Sequence, residues 1–445
     1  MQKPDNWAEL TWQERREARF DWWRAAHGVN FESDEARAQH EAHLDRHIKA
    51  LKLEELPDRV PVNGVTGTFS AYYAGYDLKT CMFDLEKYRE AWLKMARDFD
   101  VDMGSGPGSI PNGRLYELLQ QRTHRWPGGG LPDDASIFQF VEEQYMLEGD
   151  YEAYFSNPGD YILRTFLPRT LGVFEPLAEL GPIEAFMGAG EGLMMAAGRP
   201  EFRKMAEDLL AAHEAAAEWN RVSAECAMKS REMGHPASAG GVALAPFDTM
   251  ADMLRGTRGA VVDMFRHPDL VLEIVERILP VNLKSAVAAA DRSDSPMIVI
   301  PLHKGDDVFM SDAQFEKFYW PTFQRLLLGM IEEGLVPMPV AEGNYNRRLD
   351  YIKDLPKSGV MWLFEQSDMT AVQRVLGGHT CFGGNIGVSL MRHGTTEDVK
   401  KYCRWLIDTC APGGGYILSM GAGIDKCDPA NVQAIIESAR EYGRY

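Results

Sequence analysis

Cysteine is scarce in this 445-residue chain. Cys81, Cys226, Cys381, Cys403, Cys410 and Cys427 are scattered with no CxxC spacing, so the simple reading is reduced thiols in a cytoplasm. Basic residues are outnumbered: 47 Lys and Arg against 66 Asp and Glu give a formal charge of −19. That disfavours nucleic acid and anionic membranes as partners, because both need a basic footprint. No apolar run approaches the roughly 20 residues of a membrane span. The polar N-terminus MQKPDNWAELTWQERR has no apolar segment behind a basic one, so no secretory signal is expected. Low-complexity stretches and clean linkers are also missing. With 45% hydrophobic residues the chain has ample core for one large domain.

What is present is a rhythm of short apolar runs and helices. Thr380–Ile386 (TCFGGNI) reads as a buried strand, Glu397–Cys410 as an amphipathic helix, and Tyr416–Met420 as a second strand after Gly413-Gly414-Gly415. A final helix follows Asp428-Pro429. Strands that are apolar throughout and alternate with helices imply a parallel sheet covered by helices. Arg59–Asn63, Val101–Met103, Ala239–Ala245, Met297–Leu302, Leu335–Ala341 and Val360–Phe364 bring the candidates to eight. The expected fold is α/β, a (β/α)8 TIM barrel. Residues 1–56, helical and charged, with Trp7, Trp12, Trp22 and Trp23, form an N-terminal helical extension; residues 57–445 form the barrel. Residues 105–235 are less regular and read as a long insertion over the barrel mouth.

Several segments, taken together and in order, resemble the uroporphyrinogen decarboxylase superfamily. They are PDRVPV, GTFSAYYAGYDLKTCMFDLEKYREA, APFDTMADMLRGTRGAVVDMFRHPDLV, FMSDAQFEKFYWP, and GGNIGVSLMRHGTTEDV with GGGYIL. The resemblance spans roughly residues 57–445 and implies a site at the C-terminal ends of the barrel strands. The superfamily holds decarboxylases and methyltransferases that work with corrinoid proteins. The decarboxylases carry an N-terminal arginine motif for their polycarboxylate substrate; Arg15, Arg16 and Arg19 lack its glycine, and GVTGTFSAYY has no arginine. The thiol-methylating branch carries a zinc-binding His-x-Cys and a later Cys, and here Val340, Glu342 and Ala422 occupy those positions. The resemblance therefore implies the demethylating branch, of the kind that opens vanillate-type methyl ethers.

Glu342, His303 and Glu365 each end an apolar run, the place where barrel enzymes carry catalytic groups. Asp306 and Asp307 follow His303 as candidate acid/base residues, although carboxylates there also suit a helix N-terminus. Glu342 and His303 are the candidate metal ligands, with the presence of a metal left open. Asn344, Asn346 and Asn385 are candidates for binding substrate oxygens; Tyr72, Tyr73, Phe247 and Met420 are candidate pocket walls. Cys381 is expected to be a buried small hydrophobe, and His379 and His393 surface residues. Corrinoid, or cobalamin, would arrive on a partner protein, since the chain has no DxHxxG-type motif. The oligomeric state is left open, a homodimer being one option. Two further functions stay open: a lyase or decarboxylase of a small aromatic or tetrapyrrole-like acid, and a non-catalytic binding subunit.

Overall fold

The computed structural model describes residues 3–104, 106–182 and 191–445. Within the insertion, β1 (His124–Pro127), β2 (Gly130–Leu131) and β3 (Gln139–Phe140) make a small sheet. The centre is a parallel sheet of β4 (Gly241–Val242), β5 (Met297–Leu302), β6 (Val336–Ala341), β7 (Met361–Phe364), β8 (Cys381–Gly384) and β9 (Tyr416–Ile417), in that spatial order. Two shorter segments continue it. Val62 pairs in parallel with Leu418, just beyond β9, and Asn63 pairs in parallel with Met103. The two sheet ends, at Met103–Gly104 and Ser238–Ala239, face one cavity. Eight parallel segments thus surround a common interior, and the fold is a TIM barrel.

The first strand candidate, Arg59–Asn63, makes only single bridges. Its N-terminal part pairs instead with the chain end: Val60 N donates to Gly443 O at 2.8 Å. In β6, Pro337 and Pro339 have no N–H to give. The ladder to β5 still runs over all six residues, whereas the ladder to β7 is confined to Val340 and Ala341.

The N-terminal residues close one end of the barrel. α1 (Trp12–Arg24) begins in a Thr11–Glu14 capping box, and α2 (Asp34–Lys52) is capped by Ser33. Phe20, Trp23, Leu44 and Ile48 pack in one cluster with Met297, Val336, Met361, Cys381 and Ile417, near the starts of the strands. Arg15, Arg16 and Arg19 donate to the carbonyls of Glu332, Ser358 and Glu333, which precede β6 and β7.

The insertion differs from its expected irregularity, apart from 105 and 183–190, which lie outside the described residues. It contains α3 (Pro200–Glu232), 33 residues long. Only Phe202, Ala212, Val222, Cys226 and Ser230 of α3 are buried, so its sequence lacks the broad apolar stripe that marks a packed helix. α3 runs along the helix Leu85–Asp98 on the barrel's side, with Trp219 4.4 Å from Tyr88 between ring centroids. Over the mouth reaches a loop instead: Ser136 O accepts from Thr68 Oγ1 at 2.8 Å, and Glu142 lies 3.1 Å from Lys304 Nζ.

Among the described residues no helix is long and apolar enough to cross a membrane.

Candidate active site

Residues alternate in direction along a strand, so every second one faces the barrel interior. Met297, Val299 and Pro301 of β5 do so, and so do Met338, Val340 and then Glu342 of β6. Together with Leu363, Met420 and small residues at the other strand ends they enclose a cavity of about 380 Å³. Val340, Glu342 and Ala422, where the resemblance puts the ligands of the thiol-methylating branch, line this one cavity. Among the described residues no Lys, Arg or His is in the lining, and Glu342 is its one charged residue.

His303, Glu342, Glu365 and Asn385 each follow directly on the last residue of a strand. His303 and Glu342 come together at the mouth: Nε2 lies 3.9 Å from Glu342 Oε2. On its other side, His303 Nδ1 lies 2.6 Å from Asp252 Oδ2, an orientation that fixes the ring. Lys304 Nζ lies 3.3 Å from Asp252 Oδ1. Asp248, fully buried, accepts from the backbone N of His303 (3.2 Å) and Lys304 (3.0 Å) and from the Tyr319 hydroxyl (2.8 Å). Asp248 and Asp252 are one turn apart where a short helix (Pro246–Asp248) runs into a π turn (Thr249–Arg255), a distortion often found at functional sites.

These neighbours shift the protonation equilibria. Burial opposes charge on His303, but the Asp252 hydrogen bond and the Asp252, Asp248 and Glu342 charges outweigh it and raise its pKa to about 9. Burial raises Asp248 to about 7, with the Asp252 charge adding to it. Glu342 is also pushed up by burial, with Glu365 and Asp252 contributing, against the pull of His303 and Lys304. A cationic imidazole therefore stands beside a carboxyl whose proton affinity burial has raised.

Glu365 supports this site from behind, its Oε2 accepting from Gly343 N at 2.7 Å. Gly343 has φ +86°, and a Cβ there would sit 2.7 Å from Asp306 Oδ2, so this turn requires glycine.

The other candidates are taken up by the loops. Asp306 accepts from Phe309 N, and Asp307 accepts from Arg347 N. Asn344 accepts from Asn346 N, and Asn346 accepts from Asp368 N. Asn385 donates to Ser367 O and accepts from the Tyr402 hydroxyl. None of these five lines the cavity. Nor do the expected aromatic walls: Tyr73 stacks on Phe69 and bonds Asp98, Phe247 is buried against Tyr319, and Tyr72 lies under Lys426. Of the expected pocket walls, Met420 lines the cavity. Cys381 is fully buried at the strand starts, far from the mouth.

Sequence reasoning missed Asp248, Asp252, Lys304 and Tyr319. The i, i+4 spacing of Asp248 and Asp252, directly after a strand candidate, was the available signal.

The family model for uroporphyrinogen decarboxylase (URO-D) matches residues 187–442, more than half of the chain. The chain belongs to this family. The match takes in β4 to β9 with their strand-end residues, while the barrel segments at 60–63 and 101–103 precede it. No curated protein matches the chain. Among solved structures, a methyltransferase from Methanosarcina mazei is similar with a TM-score of 0.56 and 16% identity. The likeness covers 89% of this URO-D family chain and 98% of that one, and it concerns the fold.

Proposed function

We propose that this protein transfers a methyl group from a small methylated compound, a methoxylated aromatic above all, to the cobalt of a corrinoid carried by a separate protein. The cavity lining carries this reading. About 380 Å³ of largely apolar space with a single carboxylate suits a small, ring-shaped donor. It does not suit a tetrapyrrole with many carboxylates, which needs guanidinium partners. The N-terminal arginines cannot supply them: Arg15, Arg16 and Arg19 bind backbone carbonyls at the opposite end of the barrel. The methyltransferase with the same fold agrees with this reading.

Phenolate is a poor leaving group, so an aryl methyl ether needs help at oxygen. Reduced corrinoid supplies a strong nucleophile for the methyl carbon. As the carbon–oxygen bond breaks, its electron pair stays on oxygen, and Glu342, standing in the cavity, is placed to give that oxygen a proton. His303, held by Asp252 and facing Glu342, can return a proton to it from the mouth.

The test is incubation of the purified protein with a reduced corrinoid protein and a panel of methylated donors, following the loss of cob(I)alamin absorbance. Loss of that band with a methoxylated aromatic is the expected result. Release of carbon dioxide from a carboxylated aromatic, without corrinoid, would replace methyl transfer with a lyase.

A further inference from the structure

Across the barrel from Glu342 lies a second polar group of the cavity. The eight segments run 101–103, 60–63, β9, β8, β7, β6, β5, β4 around the ring, so Asn63 stands four places from Glu342, on the opposite wall. Ser419 follows β9 beside it, since Val62 pairs in parallel with Leu418. Both residues line the cavity.

Two observations show unused hydrogen-bonding capacity there. The Ser419 hydroxyl is buried and has no partner among the described residues, its residue being only 2% exposed. A buried polar group without a partner is costly, and a native protein tolerates one where a ligand completes it. Asn63 is half satisfied: its Oδ1 lies 2.9 Å from His47 Nε2, while its Nδ2 has no partner among the described residues. His47 is fully buried on α2, and burial lowers its pKa, so it is neutral with one ring proton. Asn63 turns Oδ1, which can only accept, toward Nε2 at 2.9 Å, so in this arrangement the ring proton sits on Nε2. His47 thus donates to Asn63 Oδ1 and leaves the amide N–H groups for the cavity.

We propose that Asn63 and Ser419 bind an uncharged acceptor oxygen at the end of the substrate remote from the reacting methyl group, with His47 as the positioning residue that sets the Asn63 amide. This rests on the methoxylated-aromatic reading and narrows it. A carboxylate in the same place would find neutral donors only, since among the described residues no cation lines the cavity.

The experiment is equilibrium binding by titration calorimetry, without corrinoid, using three probes: 4-methoxybenzaldehyde, methoxybenzene and 4-methoxybenzoate. The wild-type protein should bind the aldehyde about tenfold more tightly than the other two. Asn63→Leu and His47→Leu should each bring the ratio of the aldehyde and methoxybenzene dissociation constants close to one. A merely structural role for His47 would weaken both ligands together. Ser419→Ala, the mildest change, should remove part of the preference. Equal binding of all three probes by the wild-type protein, or tighter binding of the benzoate, would overturn this proposal and leave methyl transfer standing. Failure of every probe to bind would bring down both.

Discussion

The two ends of this barrel are built from the same strands and finished in opposite ways. At the strand starts, Phe20, Trp23, Leu44 and Ile48 cover Met297, Val336, Met361 and Cys381, and three arginines tie α1 to backbone carbonyls. At the strand ends, His303, Glu342, Asp248 and Asp252 crowd together at the mouth, and the protonation of His303, Asp248 and Glu342 is shifted away from ordinary values. Charge is thus neutralised by hydrogen bonds at one end and kept under tension at the other. Stability and chemistry have been assigned to separate faces, as barrel architecture allows.

Substitutions should separate the two ends cleanly. The largest effect is expected from Glu342→Gln, which should lower the methyl-transfer rate by about 10²–10⁴ with an unchanged unfolding midpoint. Full activity in this variant would remove Glu342 from its assigned role. At the other end, Trp23→Ala should cost about 3–5 kcal/mol of stability in chemical denaturation, because a large buried ring leaves a cavity. The same variant should keep the wild-type dissociation constant for the methyl donor, and a changed constant would show that the ends are coupled.

A subtler difference lies in pH. The His303 pKa is raised in the folded state from about 6.5 to about 9, so its stabilising contribution is complete below pH 6.5 and is lost as pH rises through 9. The buried Asp248 carboxyl, raised to about 7, also binds more protons folded than unfolded, and its contribution falls between about pH 4 and 7. Asp252→Asn removes the partner that holds His303 up. Denaturation curves at pH 6.5 and 9 should therefore show a smaller loss of stability in this variant than in the wild-type protein. An identical loss would mean that Asp252 does not set the charge on His303. The smallest effect is expected from Glu142→Gln, which breaks the loop's ion pair with Lys304. With Glu142 partly exposed, KM should rise only about two- to fivefold and kcat should hold; an unchanged KM would mean the loop does not cover the bound donor.

How far the sequence reveals this arrangement depends on the strand. Apolar runs that end in a polar residue expose His303, Glu342 and Glu365 directly, and the family resemblance places them on a barrel. The period-2 alternation through Met338, Val340 and Glu342 could also have named the cavity wall as methionine and valine rather than tyrosine and phenylalanine. Asn344, Asn346 and Asn385 were indistinguishable in sequence from ligand-binding residues, because an amide that braces a loop and one that grips a substrate occupy the same kind of turn. Asp248 and Asp252 were hidden for another reason. They stand on the helical turns that follow the Ala239–Ala245 run and not at its end, so the strand-end argument passed them over. Asn63, on a barrel segment, depends on His47 in α2, a contact no local pattern encodes.

The order in which the ring is assembled has its own consequence. β9 joins β8 to the segment at 60–63, and Gly443 then bonds Val60, so residues 416–443 are the clasp. During synthesis a chain that has reached only β8 has two bare sheet edges, one along Cys381–Gly384 and one along the 60–63 segment. Half of the proposed acceptor-binding pair, Ser419, has not yet been made. Nascent barrels of this kind are open to edge-to-edge association until β9 and Gly443 have been made. Whatever shields those edges in the cell acts on the unfinished protein, before there is any pocket for a substrate to enter.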